Sequence, residues 1–173
     1  QASGRVARMR RLLQDMTEYL QVEQESEIAL SFNLRELVEQ VAHTQKLYRH
    51  ASLMVDDIVL ELPQKAFGRV VTYLLDNSLE HNDKKDLSVE VRAFDTPHQY
   101  IFEFSDNGVG IPESFHAVAF NLFERHYPGE LSDGTGKGLA ICKKIVEHYA
   151  GTIHICQDTK DGCKLIIQWP KSK

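Results

Sequence analysis

Residues 134–153 read GTGKGLAICKKIVEHYAGTI. Gly134, Gly136 and Gly138 stand in front of a run in which Leu139, Ile141, Ile145, Val146 and Tyr149 fall broadly on one side of a 3.6-residue period. The plain reading is a flexible loop that opens an amphipathic helix. The chemical reading is a phosphate cradle, because glycines expose backbone N–H groups near the positive end of the helix. This is not the Gly-x-x-x-x-Gly-Lys-Ser/Thr loop, since nothing after Lys137 completes that pattern. Nor is it a dinucleotide fingerprint, because no βαβ unit surrounds it.

Downstream, GTIHICQ and CKLIIQW form a hairpin around DTKDG. Upstream, Ile111 to Gly134 has little periodicity and carries Pro112, Pro128 and Gly129, so it reads as a long loop with a short helical piece at AVAFNLFERH. A loop of that length inside a compact domain is usually functional. LSVEVRAF and YIFEFSD alternate as antiparallel strands joined by DTPHQ. NDKKD is a polar turn. Before it, Pro63 begins a helix that runs from about Gln64 to His81. LMVDDIVLEL is a strand or a strand pair. In SFNLRELVEQVAHTQKLYRH, Asn33 is placed to cap a helix, with Glu36 three residues on.

The first segment, GRVARMRRLLQDMTEYLQVEQ, sets Val6, Met9, Leu12, Leu13, Met16, Tyr19 and Leu20 on a helical period opposite a charged face. Such a helix needs a partner surface, either the rest of the domain or a second chain. The expected order is an N-terminal bundle helix over residues 1–26, then an α+β domain over residues 30–173. In that domain the helices pack on one face of a mixed, mostly antiparallel sheet.

The chain has 173 residues, 42% hydrophobic and 26% charged, which suits one buried core. A net charge of −5 argues against nucleic acid as a partner, whose binding faces are basic. Three cysteines, Cys142, Cys156 and Cys163, make neither a disulfide framework nor a zinc site. Cys156 and Cys163 flank the last hairpin and are placed to face each other. No apolar run is long enough to cross a bilayer, and the N-terminus is not a signal peptide. The expectation is a cytoplasmic domain without membrane contact, whose parent protein remains free to be membrane-anchored.

Two further stretches carry chemistry. In LLDNSLEHN, residues 74–82, Asn77 is either part of a polar helix face or an oxygen ligand for Mg²⁺. That ion takes one or two protein groups when phosphates supply the rest. DNGVGIP, residues 106–112, has the composition of a tight turn. An Asp at a strand end also accepts from an exocyclic amine, while two glycines let a flat ring approach the backbone.

Taken together, an Asn helix, DxGxGI after a strand, LFERHY in a loop and GTGxGLAI opening a helix resemble the ATP-binding catalytic domain of sensor histidine kinases. That domain belongs to the superfamily shared with gyrase, Hsp90 and MutL ATPases. The resemblance spans roughly residues 30 to 170, and RMRRLLQDMTEYLQVEQ looks like the end of the dimerisation and phosphotransfer helix. It implies a two-layer Bergerat-type sandwich that uses ATP and Mg²⁺. By similarity, Asn77 would hold Mg²⁺ between the phosphates, and His81 would touch phosphate or cap the helix. Asp106 would read the adenine amine, with Gly108 and Gly110 beneath the ring. Gly134, Thr135, Gly136, Lys137, Gly138 and Leu139 would close over the phosphates, Phe123 would anchor that segment to the core, and Arg125 would approach phosphate.

Several positions depart from the family pattern. Tyr73 replaces an Asn, Ser78 an Ala and Glu80 a Lys. A carboxylate pointing inward at 80 would repel phosphate, at a cost of about 1 kcal/mol even when solvated. Turning outward or pairing with a cation relieves it, and Lys137, where the family more often has an apolar residue, would restore the positive charge. None of the eight histidines lies in the family's His-Glu/Asp-x-x-x-Pro context, His43 and His50 included. The accepting His is therefore expected upstream of Gln1, and these residues alone would not complete autophosphorylation. The implied partners are a response regulator or receiver domain and a second copy through the N-terminal helix. The alternative is a regulatory kinase-like module that pairs with another kinase. A gyrase- or MutL-like ATPase fits less well, because Tyr73 stands where those enzymes keep a water-activating Glu.

Overall fold

The computed structural model describes residues 2–24, 26–45, 51–124, 136–157 and 162–171. Helix α1 spans Ala2–Gln21 and runs into a 3-10 turn, Val22–Gln24. There follow β1 (Leu30–Asn33), α2 (Leu34–Thr44), β2 (Ala51–Val55), β3 (Val59–Leu62) and α3 (Gln64–Glu80). The chain continues through β4 (Leu87–Asp95), β5 (Gln99–Asp106), α4 (Glu113–His116), α5 (Gly138–His148), β6 (Thr152–Ile155) and β7 (Cys163–Pro170).

Five strands form one sheet in the order β2-β4-β5-β7-β6. β2 is parallel to β4 and every other pairing is antiparallel. A separate two-stranded ribbon joins β1 to β3. The predicted strand stretch at 53–62 is thus a pair whose members serve different sheets. Alternation in the central strands decides which face is covered. Tyr100, Phe102 and Phe104 of β5 lie beside Trp169, Ile167 and Leu165 of β7, and all six are buried. The opposite face carries residues such as Glu103 and Lys164, paired at 2.8 Å.

α3 and α5 supply the second layer. Phe67 of α3, fully buried, meets Phe102 at 4.7 Å and Trp169 edge-on at 5.7 Å between ring centroids. Ile141 and Ile145 of α5 enter the same core. Burying a side chain the size of Phe67 contributes roughly 1.5–3 kcal/mol. α2 starts as the sequence predicts, with Asn33 Oδ1 accepting from the Glu36 amide at 3.1 Å. The result is the α+β two-layer arrangement, with a five-stranded mixed sheet.

Three local expectations change. Among the described residues the short helix lies at Glu113–His116, directly after Pro112, and 117–123 form turns and a bend where the sequence predicts it. Cys156 and Cys163 do not face each other: Cys163 is buried opposite Asp106 of β5, whereas the Cys156 amide bonds the Lys164 carbonyl. Most of the apolar stripe of α1 is not covered by the domain, although Leu12 is half-buried and Tyr19 packs against the core. Val6, Met9, Leu13, Met16 and Leu20 are exposed, while Asp15, on another face, is only 5% exposed. α1 and the 3-10 turn after it meet α5 through polar and aromatic groups, with Lys144 over the Tyr19 ring of α1 and 2.9 Å from Glu23 of the turn.

Candidate functional site

Asn77 sits in the last turn of α3, and Asp106 is the final residue of β5. Sheet and helix layer bring them to one cavity of about 10 Å³, lined by Leu74, Asn77, Ser78, Asp106, Cys163 and Leu165, with Phe104 and Ser105. That is the space of a single water. A purine ring would have to part the walls to enter.

The Asp106 carboxylate is the best-held polar group in this cavity. Oδ1 accepts from the Gly108 amide at 2.9 Å and the Cys163 amide at 3.2 Å. Oδ2 lies 2.8 Å from the Ser78 hydroxyl, which is buried. A carboxylate fixed by three donors keeps its orientation and retains lone pairs for a further donor such as an exocyclic amine.

Glycines permit the close approaches around it. A Cβ on Gly108 would stand 2.7 Å from the His81 carbonyl oxygen. Gly162, at φ +75°, would bring one within 1.8 Å of the Asp106 carbonyl oxygen. The loop after β5 is also tied back to its neighbours. The Val109 amide bonds the His81 carbonyl, and the Asn107 side chain accepts from the Ser88 amide and donates to the Asp86 carbonyl. His81, the residue that ends α3, thus supports this loop through its backbone.

Gly110 and Gly136 both have positive φ, +74° each. Gly138 opens α5 with Tyr73 against it, at 3.7 Å from an added Cβ, and Leu139 is partly buried on the core. Arg125, Gly134, Thr135 and His50 lie outside the described residues. Phe123 does not enter the core: its side chain is 39% exposed, its φ is +69°, and its amide bonds the Gly136 carbonyl. Glu80 is exposed, and its charge together with burial raises the Asp76 carboxyl. Burial is the larger cause.

The Lys137 ammonium group is engaged on α1. Its Nζ is 2.8 Å from Asp15 Oδ1 and 3.1 Å from Glu18 Oε2, both on α1. Tyr73 donates its hydroxyl to Glu18 as well, and Arg69 is 3.5 Å from the same carboxylate.

Sequence reading missed four residues: Ser78 as a brace for Asp106, Cys163 as cavity wall, Gly162 as the close-approach glycine, and Asp15 as a buried carboxylate. The DG of the last turn was the only local signal. Burial, with the Asp106 charge second, pushes the Cys163 thiol up to about 12, so it acts as packing and not as a nucleophile. Among the described residues no group of three or more His, Cys, Asp or Glu is placed to hold a metal. The residues nonetheless fit a magnesium nucleotide, because one amide oxygen at Asn77 suffices when phosphates complete the shell.

A family model described as histidine kinase-, DNA gyrase B- and HSP90-like ATPase matches residues 63–173. Cyanobacterial phytochrome B of Nostoc sp. is 40% identical over 90 residues, covering 51% of this chain and 12% of that protein. Sensor histidine kinase YvrG of Bacillus subtilis is 32% identical over 120 residues, 67% of this chain and 20% of that protein. The chain therefore spans well under two thirds of the length of these relatives. Among solved structures, histidine kinase ThkA in complex with response regulator protein TrrA superposes with a TM-score of 0.72 at 20% identity, covering 98% of this chain and 49% of that one.

Proposed function

Because the chain belongs to the family of histidine kinase-, DNA gyrase B- and HSP90-like ATPases, and within it is the catalytic domain of a sensor histidine kinase, we propose that it binds Mg²⁺–ATP between α3 and the loop after β5. Asp106 accepts from the adenine amine, and Gly108 and Gly110 give the ring access to the backbone. Asn77 offers its amide oxygen to the metal, and Gly136, Lys137 and Gly138 lie on the phosphate side with Leu139. His81 joins the phosphate side at the end of α3. ATP supplies the phosphoryl group when bound. The protein contributes positioning and charge stabilisation, which dominate phosphoryl transfer. The phosphoryl group then goes to a His on a bundle helix upstream of these residues, and from there to an Asp of a response regulator.

The observation that carries this reading is that Asn77 and Asp106, from separate elements, line one cavity with Asp106 already oriented. A response regulator as partner is supported by the ThkA–TrrA likeness. A second copy through α1 is supported by the exposed stripe Met9, Leu13, Met16 and Leu20, which recurs at spacings of four, three and four, the pattern of a coiled-coil seam. The division into residues 1–26 and 30–173 belongs to the same proposal. No described helix is long and apolar enough to cross a membrane, and we place the domain in the cytoplasm with its response regulator.

Calorimetric titration with ATP tests the site. Native chain binds in the presence of Mg²⁺, Asp106→Ala loses binding, and Asn77→Ala loses its Mg²⁺-dependent part. Absence of binding by the native chain overturns the assignment. Multiple-turnover hydrolysis without any His acceptor would point instead to an ATPase.

A further inference from the structure

The contact between α1 and the start of α5 is built unlike a packing interface. Asp15 is 5% exposed and Glu18 half-buried, and one cation, Lys137, bridges both. Tyr73, through its hydroxyl, and Arg69, at 3.5 Å, complete the group on Glu18. Asp15 Oδ2 is buried and has no hydrogen-bond partner among the described residues. A buried carboxylate with one oxygen unsatisfied makes a weak bond network, held mainly by its one counter-ion.

That counter-ion stands next to the candidate nucleotide site. Lys137 is the residue immediately before α5, and its Nζ lies 5.9 Å from the centre of the Tyr73 ring. Tyr73 and Asn77 are four residues apart on α3 and so share a face, about 6 Å along the helix. On its flexible four-carbon stem the Lys137 ammonium group can turn from the α1 carboxylates toward the face of α3 that carries Tyr73 and Asn77.

We propose that Asp15, Glu18 and Lys137 form a latch whose closed state is the one described here and whose opening is driven by a polyphosphate at Asn77. This inference rests on the nucleotide site proposed above and concerns its regulation. The phosphate oxygens of a nucleotide are strong charged acceptors, and they compete with the α1 pair for the same ammonium group. Once Lys137 leaves, Glu18 keeps Arg69 and Tyr73, but Asp15 stays buried without a cation among the described residues. Removing one partner of such a group is strongly unfavourable, so this stretch of α1 must part from the domain to hydrate it. Linkage makes the effect reciprocal: a docked α1 weakens nucleotide binding by the factor with which nucleotide weakens docking.

The test uses the whole chain, the β,γ-imido analogue of ATP with Mg²⁺, calorimetry for affinity and amide hydrogen exchange over residues 12–24 for docking. The native chain shows faster exchange in that segment when saturated with the analogue. The double variant Asp15→Asn, Glu18→Gln binds the analogue more tightly, within the about 5- to 150-fold range of ordinary coupling. Glu18→Gln alone shifts the same way by less, which covers the case of a poorly folded double variant. In Lys137→Met, exchange no longer responds to the analogue, and the α1 substitutions no longer change its affinity. Equal affinity in native and α1-substituted chains, both binding, overturns the latch and leaves the nucleotide site standing. Exchange in the native chain that is indifferent to bound analogue does the same. No binding by any variant overturns site and latch together.

Discussion

The hydroxyl of Ser78 lies 2.8 Å from Asp106 Oδ2, joining the last turn of α3 to the end of β5. The Leu74 carbonyl, at 3.2 Å, is the weaker acceptor for the same hydrogen. Ser78→Ala removes one of three donors to a carboxylate that must point at its ligand. A single hydrogen bond of this kind contributes about 1 kcal/mol, so Mg²⁺–ATP affinity should fall about fivefold. Titration calorimetry reads it, with far-UV circular dichroism unchanged. An unaltered dissociation constant would mean that the two backbone amides hold Asp106 without help.

Gly162 is the residue on which the approach of β7 to β5 depends. With φ at +75° and a Cβ position 1.8 Å from the Asp106 carbonyl oxygen, alanine is refused by backbone angle and by space alike. Strain of this sort costs about 1–3 kcal/mol before any clash is relieved. Gly162→Ala should lower the urea midpoint by at least that equivalent and weaken nucleotide binding, because the strands can separate only by moving Asp106. An unchanged midpoint would contradict the geometry.

Phe67 is the keystone of the layer contact, touching Phe32, Phe102 and Trp169 at once. Phe67→Ala should cost about 3–5 kcal/mol, a large fraction of the 5–15 kcal/mol, roughly, of a typical domain. Thermal unfolding should show a lower and broader transition. A loss below about 1 kcal/mol would show that the layer collapses around the void.

Docking of α1 depends on pH at both ends of the scale. Burial raises the Glu18 carboxyl, but hydrogen bonds from Tyr73 and Lys137 and the charges of Lys137 and Arg69 outweigh it, leaving it below its ordinary 4.5. Its contribution is complete above 4.5 and is lost as pH falls through the depressed value. Burial lowers the Lys137 amine, yet Asp15 and Glu18 raise it above 10.5 on balance. Burial and then Glu18 raise the Tyr73 phenol above 10.0. These two contributions hold below the ordinary values and are lost as pH climbs through the raised ones. A fluorophore pair on α1 and α5 should report constant separation from pH 4.5 to pH 10.0, and release only as pH passes the depressed carboxyl on the acid side or the raised phenol and amine on the basic side. In Glu18→Gln the acid limb should shrink. An acid limb of unchanged size would assign the effect to another group.

The elements that position the site were legible where one period or one turn determines them. Val70, Leu74 and the turn that carries Asn77 lie on a helix announced by Pro63, and alternation in LSVEVRAF and YIFEFSD fixes the hairpin that ends at Asp106. What stayed hidden depends on partners far along the chain. Opposing Cys163 to Asp106 requires the β5–β7 register, which neither strand specifies alone. The apolar residues of α1 advertised one face of that helix, yet the domain receives another, through Asp15 and Glu18. A carboxylate buried against a lysine more than a hundred residues away leaves no mark in local periodicity. The family resemblance implied that Phe123 anchors its segment to the core, but its backbone takes φ +69°, its amide bonds the Gly136 carbonyl and the residue is 39% exposed.

α1 carries two interleaved stripes, the acidic pair and the bare row of Met9, Leu13, Met16 and Leu20. They are rigidly related by helical geometry, about 100° for each residue of offset. Whatever grips the greasy row therefore sets the azimuth at which the acids face the domain. A roll of the helix by a single residue's angle would swing them past Lys137, so torque applied to one rod is converted into the presence or absence of a countercharge.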